Sequence, residues 1–160
     1  MAIIGIVAVD RAGAIGKGGG LPWHYPADLK FFKEQTSGNA CVMGYRTWLS
    51  MKRPLPNRLN LVLTRRGELE PRESVVWLRD RQSALSLYPY LKCNLFVIGG
   101  AQVFEMFRAD IDRWLVTQVP LTVEGADTFM PAGLLEGFRP QGARDLGDGL
   151  KVTFYERALS

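Results

Sequence analysis

Leu95-Phe96-Val97-Ile98-Gly99-Gly100-Ala101-Gln102-Val103-Phe104 is the stretch on which the fold turns. Its apolar start has strand length and does not alternate, as expected of a strand buried on both faces. Two glycines then turn the chain into a helix predicted over Ala101–Arg108. The same grammar recurs where Val42-Met43-Gly44 runs into Tyr45-Arg46-Thr47. It appears in looser form after the apolar run Ile3–Val9, which opens into Ala12-Gly13-Ala14-Ile15-Gly16-Lys17-Gly18-Gly19-Gly20. Strand, small residues and helix in repetition are the pattern of a parallel sheet with crossover helices.

Working outward, strand-length runs rich in Val, Ile and Leu are predicted at Ile3–Val9, Ala40–Met43, Leu59–Leu63, Ser74–Leu78, Leu95–Ile98 and Trp114–Val119. A helix is predicted over Ala27–Ser37, with Pro26 suited to its first position and Gly38 to its end. Shorter helices are expected at Tyr45–Met51 and Arg81–Leu87, the latter ended before Pro89. The tail, Leu150–Arg157, reads as an antiparallel edge strand after a Gly/Asp-rich turn. The expectation is an α/β fold: one domain over residues 1–160, with a mostly parallel central sheet, flanking helices and a C-terminal antiparallel edge strand.

Composition narrows the function classes. The chain has 160 residues, 47% hydrophobic and 22% charged, which is ordinary for a globular protein. No apolar run approaches the ~20 residues of a membrane span. Ile3–Val9 lacks a basic leader and reads as a buried strand rather than a signal peptide. Cys41 and Cys93, far apart, read as reduced packing thiols of a cytoplasmic protein, and with His24 the single histidine no metal site is expected. The net charge of +4 fits either a solvated basic surface or attraction of anionic small molecules. Its Lys and Arg residues are scattered rather than striped, so neither nucleic acid nor membrane is an expected partner.

In open α/β sheets, ligands bind beyond the carboxyl ends of the strands. The glycine junctions there let phosphate oxygens approach backbone N–H groups, although neither is a complete dinucleotide fingerprint or a Walker loop. Arg46 and Arg65 lie beside these junctions and have the fork that pairs phosphate. Asp28 falls in the first turn of its helix, with Leu21 and Trp23 before it and Leu29, Phe31 and Phe32 after. A first-turn acid is commonly a dipole partner. A carboxylate enclosed by apolar walls instead resists ionisation, which suits proton chemistry. His24 has no partner Ser or Cys in a nucleophile motif and is not assigned a catalytic part.

Together these motifs resemble the dihydrofolate reductase family over essentially the whole chain. The resemblance is carried by Ile15-Gly16, Leu21-Pro22-Trp23-His24-Tyr25-Pro26-Ala27-Asp28-Leu29, Val42-Met43-Gly44-Tyr45-Arg46-Thr47-Trp48, Arg53-Pro54-Leu55-Pro56-Asn57-Arg58, Ile98-Gly99-Gly100, Thr117 and Glu124-Gly125-Ala126-Asp127-Thr128-Phe129. It implies hydride transfer from NADPH to C6 of a dihydropterin and proton gain at N5, serving one-carbon and thymidylate metabolism. Asp28 would bind the pterin and promote protonation, supported by Trp23 and Thr117, while Leu21 sits in a loop closing over the nicotinamide. Ile6, Val7, Ala8, Leu29, Phe32, Ser50, Met51, Leu55 and Ile98 would line the substrate pocket. Arg58 would grip the substrate's glutamate carboxylate, with Arg53 nearby.

The cofactor would be held by Ala8, Ile15, Gly16, Gly19, Gly20, Leu21, Gly44, Tyr45, Arg46, Thr47, Leu63, Thr64, Arg65, Ile98, Gly99, Gly100, Ala101, Gln102, Val103 and Phe104, with a cis Gly99–Gly100 peptide. The resemblance also implies a monomer inhibited by antifolates. Four departures stand out. Tyr45 replaces a common arginine, leaving the 2′-phosphate to Arg46 and Arg65. Gly19 replaces an asparagine and loosens the closing loop. Phe104 replaces a tyrosine, and an extra residue in Gly125-Ala126-Asp127 weakens the late loop's hold on the closing loop. A riboflavin-pathway pyrimidine reductase would share the glycine junctions but not Trp23, Asp28 and Arg58 in this setting. A non-enzymatic nucleotide-binding module would need no carboxylate in an apolar pocket.

Overall fold

A computed structural model describes residues 1–67 and 69–158. In chain order its elements are β1 (Ile3–Val9), β2 (Ala14–Gly16), α1 (Pro26–Thr36), β3 (Ala40–Gly44), α2 (Tyr45–Ser50), β4 (Leu59–Leu63) and β5 (Val75–Leu78). They continue with α3 (Arg81–Leu91), β6 (Leu95–Gly99), α4 (Ala101–Met106), β7 (Arg113–Gln118), β8 (Thr128–Phe129), β9 (Phe138–Gly147) and β10 (Leu150–Arg157). Eight strands form a sheet in the order β5-β4-β3-β6-β1-β7-β10-β9, and β2 pairs with β8 apart from it. From β5 to β7 every pairing is parallel, while β10 and β9 are added antiparallel.

The alternation of side chains across the sheet builds two cores. Val42, Leu61, Val97 and Val116 pack with Ala84 of α3 and with Val103 and Phe104 of α4 on one face. Ile4, Ile6, Met43 and Phe96 pack with Phe31 and Phe32 of α1 and Trp48 of α2 on the other. Each large side chain buried this way contributes ~2–3 kcal/mol by leaving water. Gly5 admits Trp114 into the first core, because a Cβ at that position would stand 2.4 Å from the indole ring.

Connectivity then places the cleft. From β3 the chain moves outward to β4 and β5, whereas from β6 it moves the other way to β7. The helices after these strands, α2 and α4, therefore lie on opposite faces, as the two cores show. A crevice is left between the ends of β3 and β6, the topological switch point at which open sheets bind ligands. Those ends are Gly44 and Gly99.

Several expectations are refined. The expected antiparallel edge is present and is two strands deep, with Leu150–Arg157 paired to β7 and Phe138–Gly147 outside it. Gly147, Asp148 and Gly149, all at positive φ, make the hairpin turn between them. α3 does not stop before Pro89 but runs to Leu91. Its start is capped by Asp80, which accepts from the Ser83 N–H at 2.8 Å, and Leu85, Leu87, Tyr88 and Leu91 pack on the core. That packing offsets the hydrogen bond lost at the proline. α4 ends at Met106, two residues before the predicted Arg108.

Candidate active site

The crevice is shaped by its glycines. A Cβ on Gly44 would stand 3.2 Å from Val103 Cγ2, so α4 packs close behind this turn. Gly99 is buried at φ +114, and the Gly99–Gly100 peptide is cis. A Cβ on Gly100 would meet nothing within 4 Å, so the backbone there is open to a ligand. Ala101 and Gln102 stay accessible at the start of α4, whereas Val103 and Phe104 are buried. The Phe104 ring lies 5.3 Å from that of Trp114. On the other side Tyr45, Arg46 and Thr47 open α2, while Leu63 ends β4 and Thr64 follows it, both buried. Arg46 and Arg65 are exposed. Arg66, which the sequence reading passed over, stacks over the Tyr45 ring at 5.3 Å.

The loop between β1 and α1 is fastened at several points. Its start is tied by Asp10, the residue that follows β1. One Asp10 carboxylate oxygen accepts from the Ala12 and Ala14 N–H groups and the other from Val123, each at 2.8 Å. Burial alone would raise the Asp10 pKa, but the backbone donors of Val123, Ala14, Ala12 and Gly13 outweigh it and leave the value lowered. Farther along, Ala14 and Gly16 of β2 pair with Phe129 and Thr128 of β8. Asp127 accepts from the Gly18 N–H at 2.8 Å, and Lys17 Nζ donates to the Glu124 carbonyl at 2.9 Å. Lys17 and Asp127 thus tie the loop after β1 to the late segment, where the sequence leads one to expect a weakened contact. Gly19 and Gly20 remain exposed.

Past these ties the loop ends in Leu21, Trp23, His24 and Tyr25, which with Asp28 and Leu29 line a recess of about 170 Å³. Pro26 starts α1 and puts Asp28 in its first turn. Burial pushes the Asp28 carboxyl above its usual range, partly opposed by the nearby Trp23 indole. Trp23 Nε1 is itself buried and completes no hydrogen bond of normal geometry. A buried donor left in this state costs roughly 1–3 kcal/mol unless a ligand or water meets it. Asp28 and Trp23 thus present an unsatisfied acid and donor to one recess, an arrangement that fits a polar heterocycle.

The apolar walls follow from the second core. Ile6, Phe32, Met51, Leu55 and Ile98 belong to it together, whereas Val7 turns to the opposite face. Ala8 is half-buried and pairs in register with Thr117 of β7, which is 2% exposed. Leu21 and Leu29 are more than usually exposed for their type, at 56% and 48%. Ser50 spends its hydroxyl on the Thr47 carbonyl at 2.6 Å, and Arg53 is exposed.

At the far end of these walls stands Arg58, only 7% exposed. Its Nε donates to the Pro56 carbonyl at 2.8 Å and one terminal nitrogen donates to Thr36 Oγ1 at 3.0 Å. Thr36, absent from the sequence reading, donates its own hydroxyl to the Phe32 carbonyl at 2.8 Å. The guanidinium also lies 5.9 Å from the Phe32 ring centroid. Burial lowers the Arg58 pKa, yet an arginine keeps its charge at any physiological pH. Beside it, burial pushes the Cys41 thiol up to about 12. A fixed cation whose second terminal nitrogen has no hydrogen bond among the described residues is suited to a carboxylate.

A family model described as "Dihydrofolate reductase" matches residues 2–153. Dihydrofolate reductase of Haemophilus influenzae is 37% identical over 79% of this chain and 76% of its own length. The bifunctional dihydrofolate reductase-thymidylate synthase of Glycine max is 41% identical over 84% of this chain, which spans only 29% of that longer protein. Among solved structures, dihydrofolate reductase from Enterococcus faecalis complexed with NADP(H) and RAB-propyl superposes with a TM-score of 0.90 at 33% identity, over 98% of this chain and 96% of that one. With that match over nearly the whole length and a relative at 37% identity, the chain, whose open-sheet crevice carries a glycine pair, a half-buried acid and a pinned arginine, belongs to the dihydrofolate reductase family.

Proposed function

We propose that the recess around Asp28 is where this enzyme, an NADPH-dependent dihydrofolate reductase, binds the pterin ring and manages its proton. The activity reduces dihydrofolate to tetrahydrofolate, and the family, its relatives and the NADP(H)-bound neighbour agree on it. NADPH, when bound, supplies the hydride that reaches C6 of the dihydropterin. The fit of a cofactor to this cleft rests on the open backbone at Gly100 and on the glycine-ended strands β3 and β6. Gly44, Thr47, Thr64, Gly99 and Gly100 would hold its phosphates and ribose, and Ala8, Ile15, Gly16 and Ile98 would border its reacting end.

The chain's own residues do the rest. Asp28 accepts hydrogen bonds from the substrate's pyrimidine half when ionised and retains a proton more readily than an ordinary carboxyl when not. Burial is the reason. Its part in protonating N5 runs through water, which the orphaned Trp23 N–H is placed to hold. Thr117, buried in the strand next to Ala8, supports the same network with its hydroxyl. Ile6, Phe32, Met51, Leu55 and Ile98 exclude water from the flat ring system, and Arg58 fixes the glutamate carboxylate so that the ring cannot slide. Leu21, on the exposed end of the loop, closes the cleft.

The observation that carries this reading is the pairing of an undersolvated Asp28 at one end of an apolar cleft with the pinned Arg58 at the other. The substrate of a riboflavin-pathway pyrimidine reductase carries no glutamate for such a clamp. Residues 1–160 act as one domain and one monomer in this proposal, inhibited by antifolates that mimic the pterin. The unpaired thiols Cys41 and Cys93 suit the cytoplasm. The test is NADPH oxidation followed by absorbance with and without dihydrofolate, then repeated with NADH. Substrate-dependent loss of NADPH, faster than that of NADH, is expected; tight NADPH binding without turnover would contradict the reductase reading.

A further inference from the structure

Strand order separates the two ends of the cleft. Asp28 sits in the first turn of α1, whose Phe31 shares a core with Ile6 of β1 and Phe96 of β6, so the reacting end lies by β1 and β6. From β1 the order continues through β6 and β3 to β4, three steps of ~4.8 Å. An extended dinucleotide that starts beside Asp28 therefore ends over the exit of β4, which is Thr64-Arg65-Arg66. The two exposed arginines there are not equivalent. Arg66 turns back over the strand end, its N–H donating to Thr64 Oγ1 at 3.1 Å. Its guanidinium carbon lies 5.3 Å from the centroid of the Tyr45 ring, and Tyr45, the first residue of α2, is packed against the second core. No such platform holds Arg65 or Arg46 among the described residues.

We propose that Arg66, stacked on Tyr45, reads the 2′-phosphate of NADPH and sets the preference over NADH. This rests on the NADPH-dependent reading above. Stacking uses the flat face of the guanidinium and leaves its in-plane N–H donors free for a phosphate. The Tyr45 ring carries no charge, but it restrains the fork before the ligand arrives and its face favours a cation. The charge missing at position 45 is thus restored from the next strand. Arg46 and Arg65 add attraction without a fixed direction.

The test is titration calorimetry of NADP⁺ and NAD⁺ against the full chain and its variants, without dihydrofolate. Arg66→Gln is expected to weaken NADP⁺ by about 30-fold, the worth of a charge-assisted pair, while NAD⁺ changes by about twofold or less. Tyr45→Leu, which keeps the charge and removes the platform, is expected to weaken NADP⁺ by about threefold. Arg65→Gln is expected to weaken it less than Arg66→Gln does. Equal losses of NADP⁺ and NAD⁺ in Arg66→Gln, or a larger effect from Arg65→Gln, would overturn the assignment. The reductase reading fails separately: Arg66-dependent NADP⁺ binding with no dihydrofolate turnover would sink that reading and leave Arg66 standing. Turnover on NADPH that is indifferent to Arg66 would do the reverse.

Discussion

Asp10 and Asp28 stand at the two ends of one loop and have been treated oppositely by the fold. Both lose water. Asp10 receives backbone N–H groups from Ala12, Ala14 and Val123 in exchange, and its pKa falls. Asp28 receives no hydrogen bond of normal geometry among the described residues, and burial raises its pKa. Desolvation by itself therefore does not mark a functional acid; what marks it is desolvation without replacement donors. Asp10 is a fastener, joining the loop after β1 to the segment that carries Val123. Asp28 is kept short of partners so that a ligand can supply them.

The largest effect is expected at Asp28. Asp28→Asn keeps the size of the side chain but cannot trade a proton, and turnover near neutral pH should fall by about 10²- to 10³-fold, the usual worth of acid–base catalysis. Cofactor affinity should persist, because the proposed function puts Asp28 at the pterin end. Steady-state kinetics and NADP⁺ binding on the same sample separate the two. Asp10→Ala acts on the other end: three N–H groups lose their acceptor, and urea unfolding should show a loss of about 3 kcal/mol. A loss too small to measure would mean that water replaces the carboxylate there and that the fastener is dispensable.

The smallest effect sharpens the comparison through pH. Asp28 has a raised folded pKa, so the stability it contributes is complete below the unfolded value of 3.8 and is lost as pH rises through the folded value. Asp10 has a lowered folded pKa, so its contribution is present above 3.8 and is lost as pH falls through the folded value. Asp28→Asn should consequently be slightly more stable than the parent at pH 8 and show no such gain below pH 3.8. Asp10→Asn should be less stable at pH 8, with the difference shrinking in acid. Parallel curves for the two variants would show that the fold does not distinguish these carboxylates.

The parts of this molecule legible in the sequence are those with local signals. Parallel strands such as Leu59–Leu63 and Leu95–Gly99 are continuous apolar runs, and the Gly44 and Gly99–Gly100 turns announce themselves. Asp28 was legible from its apolar neighbours and from the Pro26 that fixes its turn. β9 was not, because Phe138–Gly147 is exposed along most of its length and contains Pro140, so it carries no hydrophobic alternation. Only pairing with β10 makes it a strand. Asp10 left half a signal, since Asp followed by Gly three residues on suggests a side-chain-closed turn, but the Val123 donor is remote in sequence. Thr36 behind Arg58 and Arg66 over Tyr45 depend on contacts between separate elements, which no local pattern encodes. Helix α3 shows the converse: a strong local stop at Pro89 is overridden by core packing.

Whether Asp28 carries the proton chemistry is tested by the pH profile of single-turnover dihydrofolate reduction in the parent enzyme and in Asp28→Asn. An undersolvated Asp28 predicts that the parent rate falls as pH rises through an inflection above the ordinary carboxylate range, and that this inflection is absent in Asp28→Asn. The same inflection in both proteins, or an unchanged rate in the variant, would contradict the account and move the proton chemistry away from Asp28.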